Sequence, residues 1–434
     1  MSGSSPLNVL LLGSGGREHA IAWKLAQSPR LSKLWIAPGN AGMTNLGELV
    51  PDVTVMDFDA VLALATRVSA DLIVVGPEDP LVVGITDRLN DAGFRVFGPS
   101  GPAAQIEGSK AFANQLMAEA GIATSISEAF DDPEAAKAYV RACGHHVVIK
   151  ADGLAAGKGV TVCDDIAQAE AAIDRIMVDR AFGDAGTRIV VEERMYGRET
   201  SAHAFTDGVT VRHMPFSCDH KPVFDGDVGP NTGGMGVYSP SGWLDDETAD
   251  RIRRDVTERA VAALAASGRP YAGVLYPGLM VTDAGPKVVE FNSRFGDPET
   301  EVLLPKLRTD LLDILEAVAD RRLGDVEVEW DDVATVAVMM ASGGYPGSYE
   351  TGKPISGLET VDADVQVFVA GAREENGQLV TAGGRVLCVV AHGATIEEAR
   401  AKAYDNVSRI SFEGAHYRTD IGLTADQPLE AAVR

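Results

Sequence analysis

Apolar and polar positions alternate along the first hundred residues in a repeating strand–helix beat. Leu7–Leu12 is an unbroken apolar run ending in Gly13, and helical spacing follows from Glu18 to Gln27. Lys33–Ala37 reads as a strand and Phe58–Ser69 as a helix. Leu72–Val75 is another strand stopped by Gly76-Pro77, Leu81–Ala92 is helical, and Phe94–Phe97 is a strand stopped by Gly98-Pro99. Short apolar strands alternating with helices imply βαβ units and a mostly parallel sheet. The stretch Gly98–Pro102 reads as a linker, which gives a first domain of residues 1–102.

A helix at Ser109–Ala120 opens a second region. Strands are predicted at Val147–Lys150, Val160–Cys163 and Arg188–Glu193, with a helix at Ile166–Val178 between the last two. Sheet signals resume at Thr200–Phe205 and Val209–Phe216, a long helix runs from Asp246 to Ala266, Lys287–Asn292 is a strand, and a helix lies near Asp310–Ala319. A third region begins near Glu327. It holds strands at Thr335–Met340, Val365–Ala370 and Arg385–Val390 and a helix at Ile396–Ser408. The expected layout is an α/β chain of three domains, 1–102, 103–326 and 327–434, with no internal repeat.

Composition narrows the classes of function. The 434 residues are 45% apolar, enough for sizeable cores, and carry a net charge of −25. So acidic a surface argues against nucleic acid or anionic membranes as bulk partners. It leaves open a small anionic substrate held by a local cluster of donors. The four cysteines, Cys143, Cys163, Cys218 and Cys388, show no metal-ligand spacing and are expected as free thiols of a cytoplasmic protein. No apolar run is long enough for a membrane span, and Met1 to Pro6 reads as a short polar leader.

Two glycine-rich loops carry candidate chemistry. Gly13-Ser14-Gly15-Gly16-Arg17-Glu18 lies between a strand and a helix, where glycines admit close ligand approach and helix amides face an anion. Arg17 adds a fork suited to phosphate. Dinucleotide binding and a plain structural turn are both open, although the third glycine of G-x-G-x-x-G is replaced by Glu18. The second loop is more specific. A strand ends in Lys150, and Ala151-Asp152-Gly153-Leu154-Ala155-Ala156-Gly157-Lys158-Gly159 follows. Small residues let such a loop fold over a polyphosphate while Lys150 and Lys158 supply positive charge. It is not a Walker loop, since G-x-x-x-x-G-K-[ST] is absent.

The densest constellation runs from Val288 to Glu299. On a strand the side chains of Glu290, Asn292 and Arg294 share one face. Two oxygen ligands on one face suit magnesium shared with nucleotide phosphates, and Arg294 suits a carboxylate. A further polar cluster, Ser217-Cys218-Asp219-His220-Lys221, precedes the glycine-rich run Asp227–Gly236, which reads as a loop able to close over a substrate.

Together these motifs resemble the ATP-grasp superfamily, and within it the glycinamide ribonucleotide synthetase family. The matching stretches are GSGGREHAIAW, APGNAG, VGPEDPLV, FGPS, GSKAF, IKADGLAAGKGV, AFGDAG, VVEER, DHK, GPNTGGMG, EFNSRFGDPE, ASGGYPG and GGRVLCV, spread over most of the chain. The resemblance implies an N-terminal α/β domain, a split ATP-grasp domain with a lid at about 125–193, and a small C-terminal domain. It implies ATP and magnesium or manganese as cofactors, and glycine and 5-phosphoribosylamine as substrates. By the same resemblance Lys110 and Lys150 face the nucleotide phosphates, joined by Lys158 from the loop reading, Glu192, Glu193 and Met195 line the adenine, Glu199 holds the ribose, and Lys221 reaches a phosphate. Glu290 and Asn292 match the metal ligands. Gly16, Arg17, Glu78, Asp219 and Arg294 match positions facing the second substrate, and Asp219, Lys221 and Arg294 are the candidate catalytic residues. The sequence departs from the family at Ser293, where Cys is common, and at Cys218 and Pro222, where Gln and Arg are common. Ser293 points away from Glu290 and Asn292, so that change is expected to be structural.

The implied chemistry is activation of a carboxylate as an acyl phosphate, followed by attack of an amine. No nucleophile with a partnered base is apparent, so no covalent enzyme intermediate is needed. Rival readings are another ATP-grasp ligase or carboxylase, a nucleotide-binding regulatory module without turnover, and a dinucleotide-dependent dehydrogenase. A monomer or a small homo-oligomer is expected.

Overall fold

The computed structural model describes residues 5–155 and 158–423. The first four residues of the expected leader, Ala156 and Gly157 of the second loop, and the stretch 424–434 lie outside the described residues.

The N-terminal βαβ rhythm folds as its apolar runs require. Five parallel strands, Leu7–Gly13, Leu31–Pro38, Glu48–Leu49, Leu72–Val75 and Val96–Phe97, form one sheet with Leu7–Gly13 at its centre. Alternate residues of the central strand serve opposite faces. Leu10 and Leu12 pack with Val61, Leu64, Ile85 and Leu89 on one side. Leu7, Val9 and Leu11 pack on the other with Ile21, Leu25 and the later helix Leu311–Ala319.

Two expectations here need correction. The single helix foreseen at Leu81–Ala92 is two, Glu78–Val83 and Ile85–Asp91, split at Gly84, whose φ of +97° no helix accommodates. The linker Gly98–Pro102 is cut short, because a helix starts at Gly101 and runs to Gly108. Ser100 caps it and Pro102 sits in its first turn, the arrangement that starts a helix well.

The second region contains two sheets that face each other. The smaller has the antiparallel order Ser127–Phe130, Ile189–Glu193, Val147–Ala151, Val160–Val162. It has its own core, in which Ile149, Ile189 and Val191 meet Val140, Ile173 and Ile176. The larger is built on Gly273–Thr282, a strand the apolar pattern does not announce. It pairs with Arg198–Ser201 and Gly285–Asn292 at either edge and with Ala204–Thr206 further along.

A third sheet crosses the expected boundary at residue 327. Its strands Ala334–Ala341, Arg385–Gly393 and Gln366–Val369 come from the C-terminal region, but Cys218–Asp219 and Gly236–Ser239 come from before it. The N-terminal and C-terminal regions also touch directly. His19 Nδ1 accepts the Val369 amide at 2.8 Å, and Asn40 Nδ2 donates to the carbonyls of Ser14 and Val369, each at 2.8 Å. All four cysteines are free. No described helix is long and apolar enough to cross a membrane.

Candidate functional site

The facing sheets enclose a cavity of about 500 Å³. Its apolar wall includes Met117, Val148, Val160, Met280 and Phe291, and its polar wall includes Lys110, Lys150, Glu192, Glu193, Met195, Glu199, Lys221, Glu290 and Asn292. Towards the N-terminal sheet the lining continues through Arg17, Glu78, Arg294, Asp297, Glu299 and Arg385. The structure thus gathers most of the predicted residues around one space. It does not gather three of them there. Lys158 is exposed, and Gly16 and Asp219 lie beside the cavity rather than on its lining.

Local structure explains each placement. Lys110 begins the helix Lys110–Ala120, whose cap Ser109 accepts the Phe112 amide at 3.1 Å. Asp152 of the second glycine loop accepts the Ala111 amide at 2.7 Å and the Ser109 hydroxyl at 3.1 Å, so loop and helix start are joined. Lys150 ends a lid strand with its ammonium buried. It pairs with Glu192 at 2.8 Å and donates to the Val289 carbonyl at 2.9 Å.

Glu290 lies opposite Gly278 on the central strand, its side chain on the cavity lining. Asn292 Oδ1 accepts from Arg294 Nη2 at 3.2 Å, so the last two members of the Glu290, Asn292, Arg294 face are bonded to each other. Arg294 also pairs with Glu78 at 3.1 Å and Glu107 at 3.2 Å. Glu107 in turn accepts the Ser293 amide at 2.7 Å and its hydroxyl at 2.8 Å. The departure at Ser293 therefore sits one bond behind Arg294.

The N-terminal loop is more committed than expected. Glu18 folds back to accept the Gly15 amide at 2.6 Å and Arg17 Nε at 2.6 Å. Gly13 and Gly76 make this possible, since a β-carbon on either falls within 2.6 Å of the Glu18 side chain. The Gly15 amide is thus spent within the loop, while those of Gly16 and Arg17, in the first helical turn, have no intrahelical acceptor.

Charges in the cavity tune one another. Burial resists ionisation of Glu78, but Arg294 and Arg17 overcome it and hold its carboxyl down at about 2. Burial also opposes ionisation of Glu290, and Lys221, Lys150 and Lys110 outweigh it, keeping the group below the usual carboxylate range. Burial pushes Glu199 up, against the pull of Lys221. Asp219, 3.5 Å from the Lys221 ammonium, is raised by burial to about 7. Burial draws Lys110 down. Lys221 stays firmly charged despite burial, because Tyr276, Asp219, Glu290 and Glu299 surround it.

Among the lining residues without a role in the sequence analysis are Glu107, Tyr276, Asp297, Glu299 and Arg385. Glu107, Asp297 and Arg385 stand inside or beside the matched motifs, so a signal was present. Tyr276 is found only from the fold. Its hydroxyl donates to Glu299 at 2.5 Å and accepts from Ser201 at 3.1 Å, underneath Lys221.

A lid sheet and a larger sheet closing on a lysine-lined cavity with a Glu-x-Asn strand end define an ATP-grasp enzyme. Models of the phosphoribosylglycinamide synthetase N domain, ATP-grasp (A) domain and C domain match residues 7–107, 108–300 and 335–424, and the chain belongs to that family. It is similar to proteins named phosphoribosylamine–glycine ligase. That of Halalkalibacterium halodurans is 48% identical over 96% of this chain and 97% of its own length, and that of Rhodopirellula baltica is 47% identical over 98% and 100%. The crystal structure of the Thermotoga maritima phosphoribosylamine–glycine ligase superposes with a TM-score of 0.84, at 34% identity, over 95% of this chain and all of that one. A biotin carboxylase from Campylobacter jejuni shares the fold, with a TM-score of 0.70 at 18% identity, over 97% of this chain and 95% of its own.

The fold implies use of ATP with a divalent metal, and the residues present fit one. Glu290 and Asn292 offer two hard oxygens on the cavity lining from one strand. Two donors are an incomplete shell, as suits an ion that shares oxygens with phosphates.

Proposed function

We propose that this chain uses ATP to join glycine to 5-phosphoribosylamine, forming glycinamide ribonucleotide, ADP and phosphate in purine biosynthesis. The full-length relatives named for this activity support the reading. The observation that carries it is one cavity with two ends. Lys110 and Lys150 gather about Glu290 at one end, Arg17 and Arg294 gather about Glu78 at the other, and Asn292, bonded to Arg294, joins the two. The first end suits nucleotide phosphates, and the second suits an anionic substrate beside its acyl acceptor site.

In this reading Met195, Glu192 and Glu193 take the adenine, Glu199 the ribose, and Lys110, Lys150 and Lys158 the phosphates. Lys158 lies outside the cavity, so its part requires the glycine loop to close. Glu290 and Asn292 would hold magnesium or manganese, which when bound neutralises phosphate charge during transfer. Lys221 and Arg294 hold the glycine carboxylate in line with the γ-phosphate. Transfer gives glycyl phosphate, whose phosphate then leaves as the amine attacks. Asp219 beside Lys221 is placed to receive the amine's proton. Gly16 and Arg17 hold the phosphate of phosphoribosylamine, and Glu78 keeps Arg17 and Arg294 apart and oriented. Catalysis rests on positioning and charge neutralisation.

The regions 1–102, 103–326 with its lid at about 125–193, and 327–434 then serve the amine substrate, ATP, and closure of the cavity floor. A cytoplasmic monomer or small homo-oligomer completes the reading, and free thiols accord with that compartment.

Glycine labelled with oxygen-18 in both carboxylate oxygens tests the route. One label is expected in inorganic phosphate per turnover, with the other kept in the amide. Unlabelled phosphate would rule out glycyl phosphate. Turnover dependent on bicarbonate instead of glycine would make the chain a carboxylase.

A further inference from the structure

Asp297 stands where three parts of the chain meet. It follows the metal-type strand end by a few residues. Its Oδ2 lies 3.4 Å from the position a β-carbon would take on Gly15 of the N-terminal loop. Its Oδ1 is 2.9 Å from Arg385 Nη2, which arrives on a strand of the C-terminal region. Arg385 is fixed by donating to the carbonyls of Gly233 at 2.7 Å and Asp297 at 3.0 Å, and Gly233 lies flat against its guanidinium. Both side chains line the cavity, and Asp297 is close enough to Arg17 to help hold its charge.

The placement is selective. Phosphates and the glycine carboxylate carry acceptors only, and a carboxylate repels them. Beyond its pairing with Arg385, Asp297 therefore suits a ligand group that donates hydrogen bonds. It adjoins the loop read above as the seat of the phosphoribosylamine phosphate. The amine and the sugar hydroxyls of that substrate are donors within a few bonds of its phosphate.

We infer that Asp297 is a further binding residue for the amine substrate, accepting a hydrogen bond from its amine or a sugar hydroxyl, and that Arg385 is the positioning residue that aims it. The inference rests on the ligase reading above. The C-terminal region then contributes to selection of the amine substrate through Arg385, a role the sequence does not announce.

Steady-state kinetics on the full chain test this, with each of the three substrates varied in turn. Turnover of the unaltered enzyme with glycine, ATP and freshly made phosphoribosylamine is the control, and its failure would count against the ligase reading alone. Asp297→Asn keeps the size and removes the charge. The KM for phosphoribosylamine is expected to rise about tenfold or more, the worth of a charge-assisted hydrogen bond, with the KM values for ATP and glycine little changed. Arg385→Lys keeps the charge but loses the fork, and is expected to raise the same KM by a smaller factor. A rise confined to glycine would assign Asp297 to the glycine ammonium and overturn the inference. So would an unchanged KM for phosphoribosylamine in either folded variant, with folding judged by ATP affinity.

Discussion

Lys150, on the lid sheet, donates a hydrogen bond to the main-chain carbonyl of Val289 on the larger sheet, 2.9 Å away. One ammonium thus fastens two plates that otherwise have separate cores, and it does so while neutralising Glu192. Lys150→Ala removes phosphate charge compensation, unfastens the lid and strands a buried carboxylate. ATP affinity and turnover are expected to fall, and hydrogen exchange in Ile189–Glu193 to quicken. The double variant Lys150→Met with Glu192→Gln is expected to regain stability but not ATP affinity. Parent-like affinity and exchange in the single variant would take Lys150 out of the site.

Glu290→Gln preserves shape and removes the charge that balances a cation. Turnover is expected to fall at least a hundredfold, about 3 kcal/mol in the barrier, with thermal stability little changed. Asn292→Ala is expected to act in the same direction but more weakly, since an amide oxygen carries no charge. Near-parental rates for Glu290→Gln at low magnesium would reject the metal assignment.

Arg17 tests the far end of the cavity. Arg17→Ala is expected to raise the KM for phosphoribosylamine and to leave that for ATP close to its parental value. A selective effect on ATP would move the nucleotide to the N-terminal loop and reverse the assignment of the two ends.

Asp219 predicts a pH dependence of stability. Its folded-state value of about 7 lies above that of an unfolded aspartate, so between about pH 4 and pH 7 the folded chain binds the extra proton. Its stabilising contribution is complete below about pH 4 and is lost as the pH rises through 7. Denaturant unfolding of the parent is expected to weaken more steeply over that window than that of Asp219→Asn, by on the order of a few kcal/mol. Parallel profiles would show that Asp219 titrates normally.

The apolar runs of residues 7–97 spell out the parallel sheet because buried parallel strands are written without interruption. Gly273–Thr282 is hidden for the opposite reason. It contains Pro277 and Gly278, residues that argue against a strand. The pair Glu290 and Asn292 is legible from two-residue periodicity alone. Arg385 and Tyr276 are not, since their meaning depends on which distant carboxylates the fold sets beside them. The break at Gly84 and the short linker before Gly101 are local errors of turn reading, and neither moves a site residue.

The sheet shared between Cys218–Asp219, Gly236–Ser239 and Ala334–Ala341 has a consequence for the order in which the protein is completed. On the ribosome, the segment bearing Lys221 emerges more than a hundred residues before the strand that anchors it. Until Ala334–Ala341 and then Arg385–Gly393 are synthesised, the lysine hangs on two short strands with an unpaired edge. A nascent chain halted before residue 334 lacks the strand against which Gly236–Ser239, and through it Cys218–Asp219, is paired. The sheet that mounts this segment is therefore completed only in the last quarter of translation.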